Sequence, residues 1–295
     1  MQKPVIIGLG EVLWDMLPSG KQLGGAPANF VYHAACLGAE AYIVTGIGDD
    51  ELGKEILDTF SQRNISVQYV ETVTYPTGTV DVALDEAGVP KYSIVENVAW
   101  DHIPYSEKTE LLAQKAHAVC FGSLAQRNDA SKKTIHRFLQ HTTKDCLKVF
   151  DINLRYPFYS KDIIASSLKD ANILKVNDEE LGLLAAMFSL PQNQTEIIER
   201  LFEQYPFELI AVTAGVNGSS LYTKENESFL PTPVINVADT IGAGDSFTAA
   251  MITGLLNKLS LTDLHQRAMQ LAAYVCTNPG AMPLYEAEVL FSYGR

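Results

Sequence analysis

Residues Asp239 to Phe247 read DTIGAGDSF, and the rest of the chain is organised around them. Ahead of them PTPVINVA carries β-branched residues that suit a strand. Behind them SFTAAMITGLLNKL places Phe247, Ala250, Met251, Gly254 and Leu255 at helical spacing. The reading is a strand that turns sharply into a helix through Gly242-Ala243-Gly244. Small residues there let the backbone pass close to a ligand. The first N–H groups of the helix have no intrahelical acceptor and lie at the positive end of its dipole, which makes an anion site. Asp245 is out of place if the turn does nothing but hold an anion. A carboxylate beside a phosphate is unfavourable unless it does something else, such as accepting a proton from an attacking hydroxyl. A bare G-x-G-D would instead be read as a turn with Asp245 as an ordinary helix N-cap. The longer D-T-x-G-A-G-D string is more specific.

Composition narrows the classes. The chain has 295 residues, 47 % hydrophobic and 19 % charged, as in a globular protein with a substantial core. A net charge of −13 argues against nucleic acid or an anionic membrane as the main partner. Cys36, Cys120, Cys146 and Cys276 are scattered with no C-x-x-C pair, so free thiols in a reducing cytoplasm are expected. The opening MQKPVIIGLGEVLWD turns acidic too soon for a secretory signal, and no apolar run approaches about 18 residues.

From Asp101 onward strand and helix patterns alternate. HAVCFGSL, LKVFDINLR and NILKVN read as strands, separated by the helical ASKKTIHRFLQHT and KDIIASSLKDA. That series predicts an α/β fold: a central, mostly parallel sheet with helices on both faces and ligands at the carboxyl ends of the strands. From Val67 to Trp100, VQYVETV and GTVDVALDEAGVPKYSIVENVAW have period two, with EAG as a hairpin turn. This predicts a small separate β-sheet, completed by residues near Val12 to Leu17. The expected organisation is one domain over 1–295, with a lid formed by about 12–24 and 67–100. An edge extension of the main sheet is the alternative.

Two phosphate motifs fail on inspection. Gly8 and Gly10 invite a dinucleotide fingerprint, but Leu13 stands where the third glycine belongs, and Glu11 and Asp15 would crowd a pyrophosphate. Gly48 and Gly53-Lys54 have P-loop spacing, but Glu55 replaces the magnesium-binding hydroxyl. ELGKEILDTFSQ is instead a surface helix with Ile56, Leu57 and Phe60 inward. The six histidines have no ligand spacing.

D-T-x-G-A-G-D resembles the signature of the ribokinase-like, pfkB-type carbohydrate kinases. The likeness runs from Gly10 to Gly280 with the motifs in the family's order. It implies a ribokinase-like fold with the small sheet as lid, Asp245 as catalytic base, and Gly242, Ala243 and Gly244 as the anion hole. GEVLWD and LGGAPANF resemble the sugar-contact elements, which implies Asp15, Gly25 and Asn29 at the sugar. DINLR resembles D-x-N-x-R and places Arg155 near the transferred phosphate, where a guanidinium suits spread charge. Asn177 and Glu180 resemble N-x-x-E, implying magnesium held through water; an acidic first helical turn explains the same residues. Thr213, Gly215 and Gly218 resemble the T-x-G-x-x-G nucleotide element, and the resemblance also implies Asn278 as a nucleotide contact and Asp239 in a loop at a monovalent-cation (K+) site. Gly48, Asp49, Asp50 and Gly53 resemble a structural G-D-D-x-x-G element.

The expected function is therefore an ATP- and Mg2+-dependent cytoplasmic sugar kinase, acting on fructose to give fructose 6-phosphate and dimerising through the lid. The rival within the family is 2-keto-3-deoxygluconate kinase. Lys91 is the only basic residue between Val67 and Trp100, which favours a neutral sugar. The rival from another class is a non-catalytic sugar-binding regulator, which would not need Asp245.

Overall fold

Strand and helix patterns are realised as a nine-stranded sheet covered on both faces. The computed structural model describes residues 3–17, 20–84 and 90–285. The strands in chain order are β1 (Val5–Leu9), β2 (Leu13–Leu17), β3 (Gly20–Gly24), β4 (Glu40–Gly48), β5 (Val70–Val73), β6 (Thr79–Leu84), β7 (Pro90–Ile94), β8 (Ala118–Phe121), β9 (Leu147–Asp151), β10 (Ile173–Asn177), β11 (Leu209–Thr213), β12 (Ser219–Tyr222) and β13 (Glu227–Leu230). The helices are α1 (Ala26–Cys36), α2 (Glu51–Gln62), α3 (Glu107–Ala113), α4 (Asp129–His141), α5 (Lys161–Asp170), α6 (Asp178–Phe188), α7 (Gln194–Gln204), α8 (Ala243–Leu256) and α9 (Leu261–Cys276).

The large sheet has the order β13-β12-β11-β10-β9-β8-β1-β4-β5, parallel from β11 to β5, with β12 and β13 antiparallel at one edge. In β1 successive side chains serve opposite faces. Val5, Ile7 and Leu9 join the core under α3 to α7, and Ile6 joins the core under α1, α2, α8 and α9. All five residues of β1 are buried, as a strand between two helical layers requires. The neighbours of β1 on its two sides are β4 and β8, reached by connections that leave in opposite directions, so a crevice opens beyond its carboxyl end.

A four-stranded sheet of order β3-β2-β6-β7 stands apart from the large one. It grows out of the same end of β1, since β2 follows after Gly10-Glu11-Val12. Two expectations need correction. VQYVETV does not join the small sheet: β5 pairs in parallel with β4 and forms the edge of the large sheet. The EAG turn lies outside the described residues.

PTPVINVA forms no strand either. Pro231 and Pro233 cannot donate to a ladder, and Val234 and Val237 face solvent, with no neighbouring strand to pair with. The sheet ends one step earlier at β13, a strand absent from the sequence-based expectation. The chain then runs as an irregular connection to α8, tied at its end by Ala238 N–H donating to Cys276 O at 2.8 Å.

Asp50 caps α2 by accepting Gly53 N–H at 2.8 Å, and it also accepts the Thr77 N–H and hydroxyl. The G-D-D-x-x-G element is therefore structural, since it fastens the segment leading into β6 to the body.

Candidate active site

The site begins with the cap of α8. Gly242 is its N-cap, with φ 79°, and a Cβ there would come within 2.8 Å of Ala281. Only glycine takes that backbone and that spacing together. Ser246 N–H is the first to turn back into the helix, onto Gly242 O at 2.9 Å. The amides of Gly244 and Asp245 precede it, at the end where helix donors lack internal acceptors. Asp245 is therefore not the N-cap. It lies within the first turn, where its carboxylate meets α1.

Asn29 makes that meeting specific. Its Nδ2 donates to Asp245 Oδ2 at 2.8 Å, across 216 residues of sequence. Small and apolar residues bring the two helices together: Ala28 and Val31 of α1 share one core with Phe247, Ala250 and Met251 of α8. Asn29 Oδ1 is buried and takes no hydrogen bond from the described residues. A buried amide oxygen with an unused lone pair suits a hydroxyl donor.

Asp245 sits at the cleft floor, intermediate in exposure yet closely surrounded by protein atoms. Its pKa is pushed up to about 6, first by burial and then by the Asp151 carboxylate; Asn29, Lys175 and Arg155 pull it back. A base with that value is ionised at neutral pH yet holds a proton well enough to take one from an alcohol in a transition state. For wild-type turnover the expected kcat/KM profile has an acid limb near pH 6, with activity lost below it as Asp245 protonates. A limb near pH 4, where ordinary carboxylates titrate, would remove Asp245 from that role.

The opposite wall carries Asp15, Gly24, Gly25 and Glu11. Asp15 is half-buried on β2; burial raises its pKa and Arg155 opposes the shift. A Cβ on Gly24 would lie 2.5 Å from Asp15 Oδ2, so the carboxylate occupies the space that this glycine leaves. Gly25 has φ 112°, and its Cβ would meet Glu11 O at 2.5 Å. Gly24→Ala is expected to push the Asp15 carboxylate aside and raise the KM for sugar about tenfold or more, with a smaller effect on kcat. Steady-state kinetics with sugar as the varied substrate checks this.

Glu11 entered the sequence reading as an argument against a dinucleotide motif and as part of GEVLWD, with no role of its own. It is 2 % exposed, and its Oε2 has no partner among the described residues. Burial pushes its pKa up to about 7, against Arg155 and Arg127 and with Asp245. A glutamate directly after a wholly apolar strand was the available signal.

At the end of β9, Asp151 accepts from Lys175 Nζ at 3.0 Å and from Thr248 Oγ1 at 3.0 Å. The salt-bridge reading of Asp151 is thus realised, and it is buried. Lys175, which the sequence reading did not single out, is also buried, and a Cβ on Gly244 would be 3.1 Å from its Nζ. A positive charge therefore lies directly behind the Gly242-Ala243-Gly244 turn. Arg155 is exposed and donates to Leu154 O at 3.1 Å; its charge is felt at Asp15, Glu11 and Asp245.

The remaining residues that the resemblance picked out are held by local hydrogen bonds and turns. Asn177 and Glu180 form a capping box at α6: Asn177 Oδ1 accepts Glu180 N–H at 2.7 Å and Glu180 Oε2 accepts Asn177 N–H at 2.9 Å. Glu180 Oε1 also accepts Leu154 N–H at 2.9 Å, which joins α6 to the Arg155 loop. Thr213 ends β11, and Gly215 and Gly218 turn the chain into β12 with φ of 52° and 108°. Asp239 accepts Ile241 N–H at 3.0 Å and Gly280 N–H at 3.1 Å, so it fastens the loop before α8 to the loop after α9. Asn278 donates to Tyr274 O at 2.9 Å and Thr277 Oγ1 at 3.2 Å, which commits its amide hydrogens to the end of α9. No cluster of three metal-ligating side chains occurs among the described residues.

A carboxylate with a raised proton affinity, a helix amide cluster and a lysine behind it, at the strand ends of a parallel sheet, fit a phosphotransferase that acts on a hydroxyl. Comparison with known proteins agrees. The pfkB family of carbohydrate kinases matches residues 19–287, and the chain belongs to that family. It is 26 % identical to the sugar kinase PH1459 of Pyrococcus horikoshii, over 98 % of this chain and 95 % of that one. The solved structure of PH1459 superposes with a TM-score of 0.83, covering 98 % and 97 % of the two chains. A fructokinase of Klebsiella pneumoniae is 28 % identical over 84 % of this chain and 83 % of its own. An ATP-bound fructokinase of Xylella fastidiosa has the same fold, with a TM-score of 0.84 at 22 % identity, covering 98 % and 97 % of the two chains.

Proposed function

We propose that this carbohydrate kinase transfers the γ-phosphoryl group of ATP to the primary hydroxyl of a neutral sugar, fructose to fructose 6-phosphate. The observation that carries the reading is the Asn29–Asp245 hydrogen bond at the mouth of the anion hole. It joins a residue of the sugar side to the base on the phosphate side. Relatives named fructokinase support the choice of sugar, as does the charge of the wall. Glu11, Asp15 and Asp245 all feel Arg155, while Arg127 is already paired with Asp101 and Lys175 with Asp151, an arrangement that disfavours a sugar acid such as 2-keto-3-deoxygluconate.

In this reading Asp15 and Asn29 hold secondary hydroxyls and turn the primary one toward Asp245. Asp245 takes the hydroxyl proton as the oxygen attacks the γ-phosphorus. The bond from that phosphorus to the β–γ bridging oxygen breaks, and ADP leaves with the bond pair. The Gly242-Ala243-Gly244 turn, with Lys175 behind it and Arg155 in front, holds the charge that spreads over the phosphoryl oxygens.

Thr213, Gly215, Gly218 and Asn278 border the nucleotide. The exposed apolar Val216, Val234 and Ile241 at this end offer a surface for a base. Glu180 fits hydrated magnesium: each carboxylate oxygen accepts one backbone N–H and keeps a lone pair for a metal-bound water. Magnesium, when bound, neutralises polyphosphate charge. The Asp239 loop is the proposed K+ site. The small sheet is the lid, and we assign it the dimer contact of a cytoplasmic enzyme.

The test is ADP release in a coupled assay over a panel of fructose, glucose, ribose, a nucleoside and 2-keto-3-deoxygluconate. Fastest turnover is expected with fructose. Preference for the acid sugar would reassign the substrate, and fructose binding without turnover would mark a regulator.

A further inference from the structure

The base has a buried companion. A small cavity is lined by Ala26, Pro27, Phe30, Cys120, Phe121 and Gly122 together with Asp245 and Asp151. Asp151 and Asp245 thus border the same small, mostly apolar space. Low polarity strengthens their repulsion. Asp151 cannot turn away, because Lys175 Nζ holds one oxygen at 3.0 Å and Thr248 Oγ1 holds the other at 3.0 Å. The single Thr248 hydroxyl proton is shared with Gly244 O, also 3.0 Å away, which ties this arrangement to the first turn of α8.

We infer that Asp151 is a positioning residue that keeps Asp245 basic enough to deprotonate a sugar hydroxyl, with Lys175 limiting the effect so that Asp245 is still ionised at neutral pH. The inference rests on the kinase reading above. The groups facing Asp245 come from every neighbouring element: Asn29 from α1, Glu11 after β1, Cys120 from β8, Asp151 from β9, Arg155 from the loop beyond it, and Lys175 from β10. Of the charged ones Asp151 acts most strongly, and it raises the proton affinity; Lys175 and Arg155 lower it. Removing Asp151 alone, or Asp151 with Lys175, therefore shifts the balance in the same direction.

The experiment is the pH dependence of kcat/KM, from about pH 4.5 to 9, for the full chain with fructose, ATP and magnesium. Asp151→Asn is expected to move the acid limb to lower pH. The ratio of kcat/KM at pH 5 to that at pH 8 should rise at least about threefold over wild type. The double variant D151N/K175M removes the whole ion pair, so no buried charge is left unpaired. It is expected to move the limb the same way by less, and it serves where D151N does not fold. A loss of packing alone would lower rates without moving the limb.

A second readout needs no turnover. Asp245→Asn should stabilise wild type at pH 8 more than it stabilises the D151N background, because part of the strain on the Asp245 charge comes from Asp151. An acid limb unmoved in both variants, or equal stabilisation by D245N in both backgrounds, would overturn the inference. Those results leave the kinase reading standing. Inactivity of wild type on every sugar would instead overturn that reading, while the stability comparison would still decide the role of Asp151.

Discussion

Asp245→Asn is expected to bind sugar with wild-type-like affinity, lose turnover by about 10²–10⁴-fold, and melt at a higher temperature than wild type. The first two results follow from its role. The substituted side chain keeps an oxygen that accepts the Asn29 Nδ2 hydrogen bond, so the sugar side is undisturbed, but an amide takes no proton. The third follows from linkage. The folded-state pKa, about 6, lies above the unfolded value near 3.8, so the native site binds the proton more tightly than the unfolded chain does. The charged form therefore opposes folding. The penalty is absent below the unfolded pKa, grows as pH rises toward the folded one, and is constant above it. With allowance for solvent at the cleft mouth it is about 1–3 kcal/mol. Thermal melts of both proteins at pH 8 and pH 4.5 check this: the gap in favour of the variant should narrow in acid. Equal melting at pH 8, or a gap that widens in acid, would contradict it.

Arg127→Met is the substitution expected to destabilise most. Arg127 is a buried fork: Nε donates to Asp101 Oδ1 at 2.7 Å, and Nη2 donates to Asp101 Oδ2 at 2.8 Å and to Val95 O at 2.6 Å. Its guanidinium lies 4.0 Å from the Trp100 ring centroid and 4.7 Å from that of Phe158. Arg127 is 6 % exposed and Asp101 only 2 %, so removal of the cation strands a buried carboxylate. The expected loss is about 3–5 kcal/mol. In a chain of this length that lowers the melting temperature by roughly 10 °C. The same contact pins the segment after β7 to the body, so the small sheet loses one of its fastenings; others are Asp50 with Thr77 and Trp14 Nε1 donating to Leu52 O. Urea unfolding of Arg127→Met measures the loss. R127M/D101N, which removes both charges, should regain part of it. A loss under about 1 kcal/mol in the single variant would show that the pair carries no structural weight.

Much of this architecture was legible because its signals are local. Alternating apolar runs and amphipathic helices gave the parallel sheet from β8 to β11, and the DTIGAGDSF turn gave the start of α8. The errors arose where pairing decides. VQYVETV has the period of a strand, but periodicity does not say which sheet receives it, and β4 does. PTPVINVA has the composition of a strand, but its prolines and the lack of a neighbour leave it irregular.

The site was legible in its ends and not in its middle. Asp15, Asn29, Arg155 and Asp245 each stand in a recognisable string. The bond between Asn29 and Asp245, the pairing of Lys175 with Asp151 and the burial of Glu11 depend on contacts between distant segments. Lys175 and Glu11 read as unremarkable charges until the fold encloses them. Asn177 and Glu180 show the reverse: the acidic first turn legible in the string is realised as a capping box at the start of α6.

A crystal structure with fructose soaked or co-crystallised in the cleft tests the central claim most directly. The account predicts secondary hydroxyls on Asp15 and on the free oxygen of Asn29, with the primary hydroxyl within about 3 Å of an Asp245 oxygen and facing the Gly242-Ala243-Gly244 turn. A sugar bound with that hydroxyl pointing elsewhere, or with Asp245 shielded from it by other side chains, would contradict the claim.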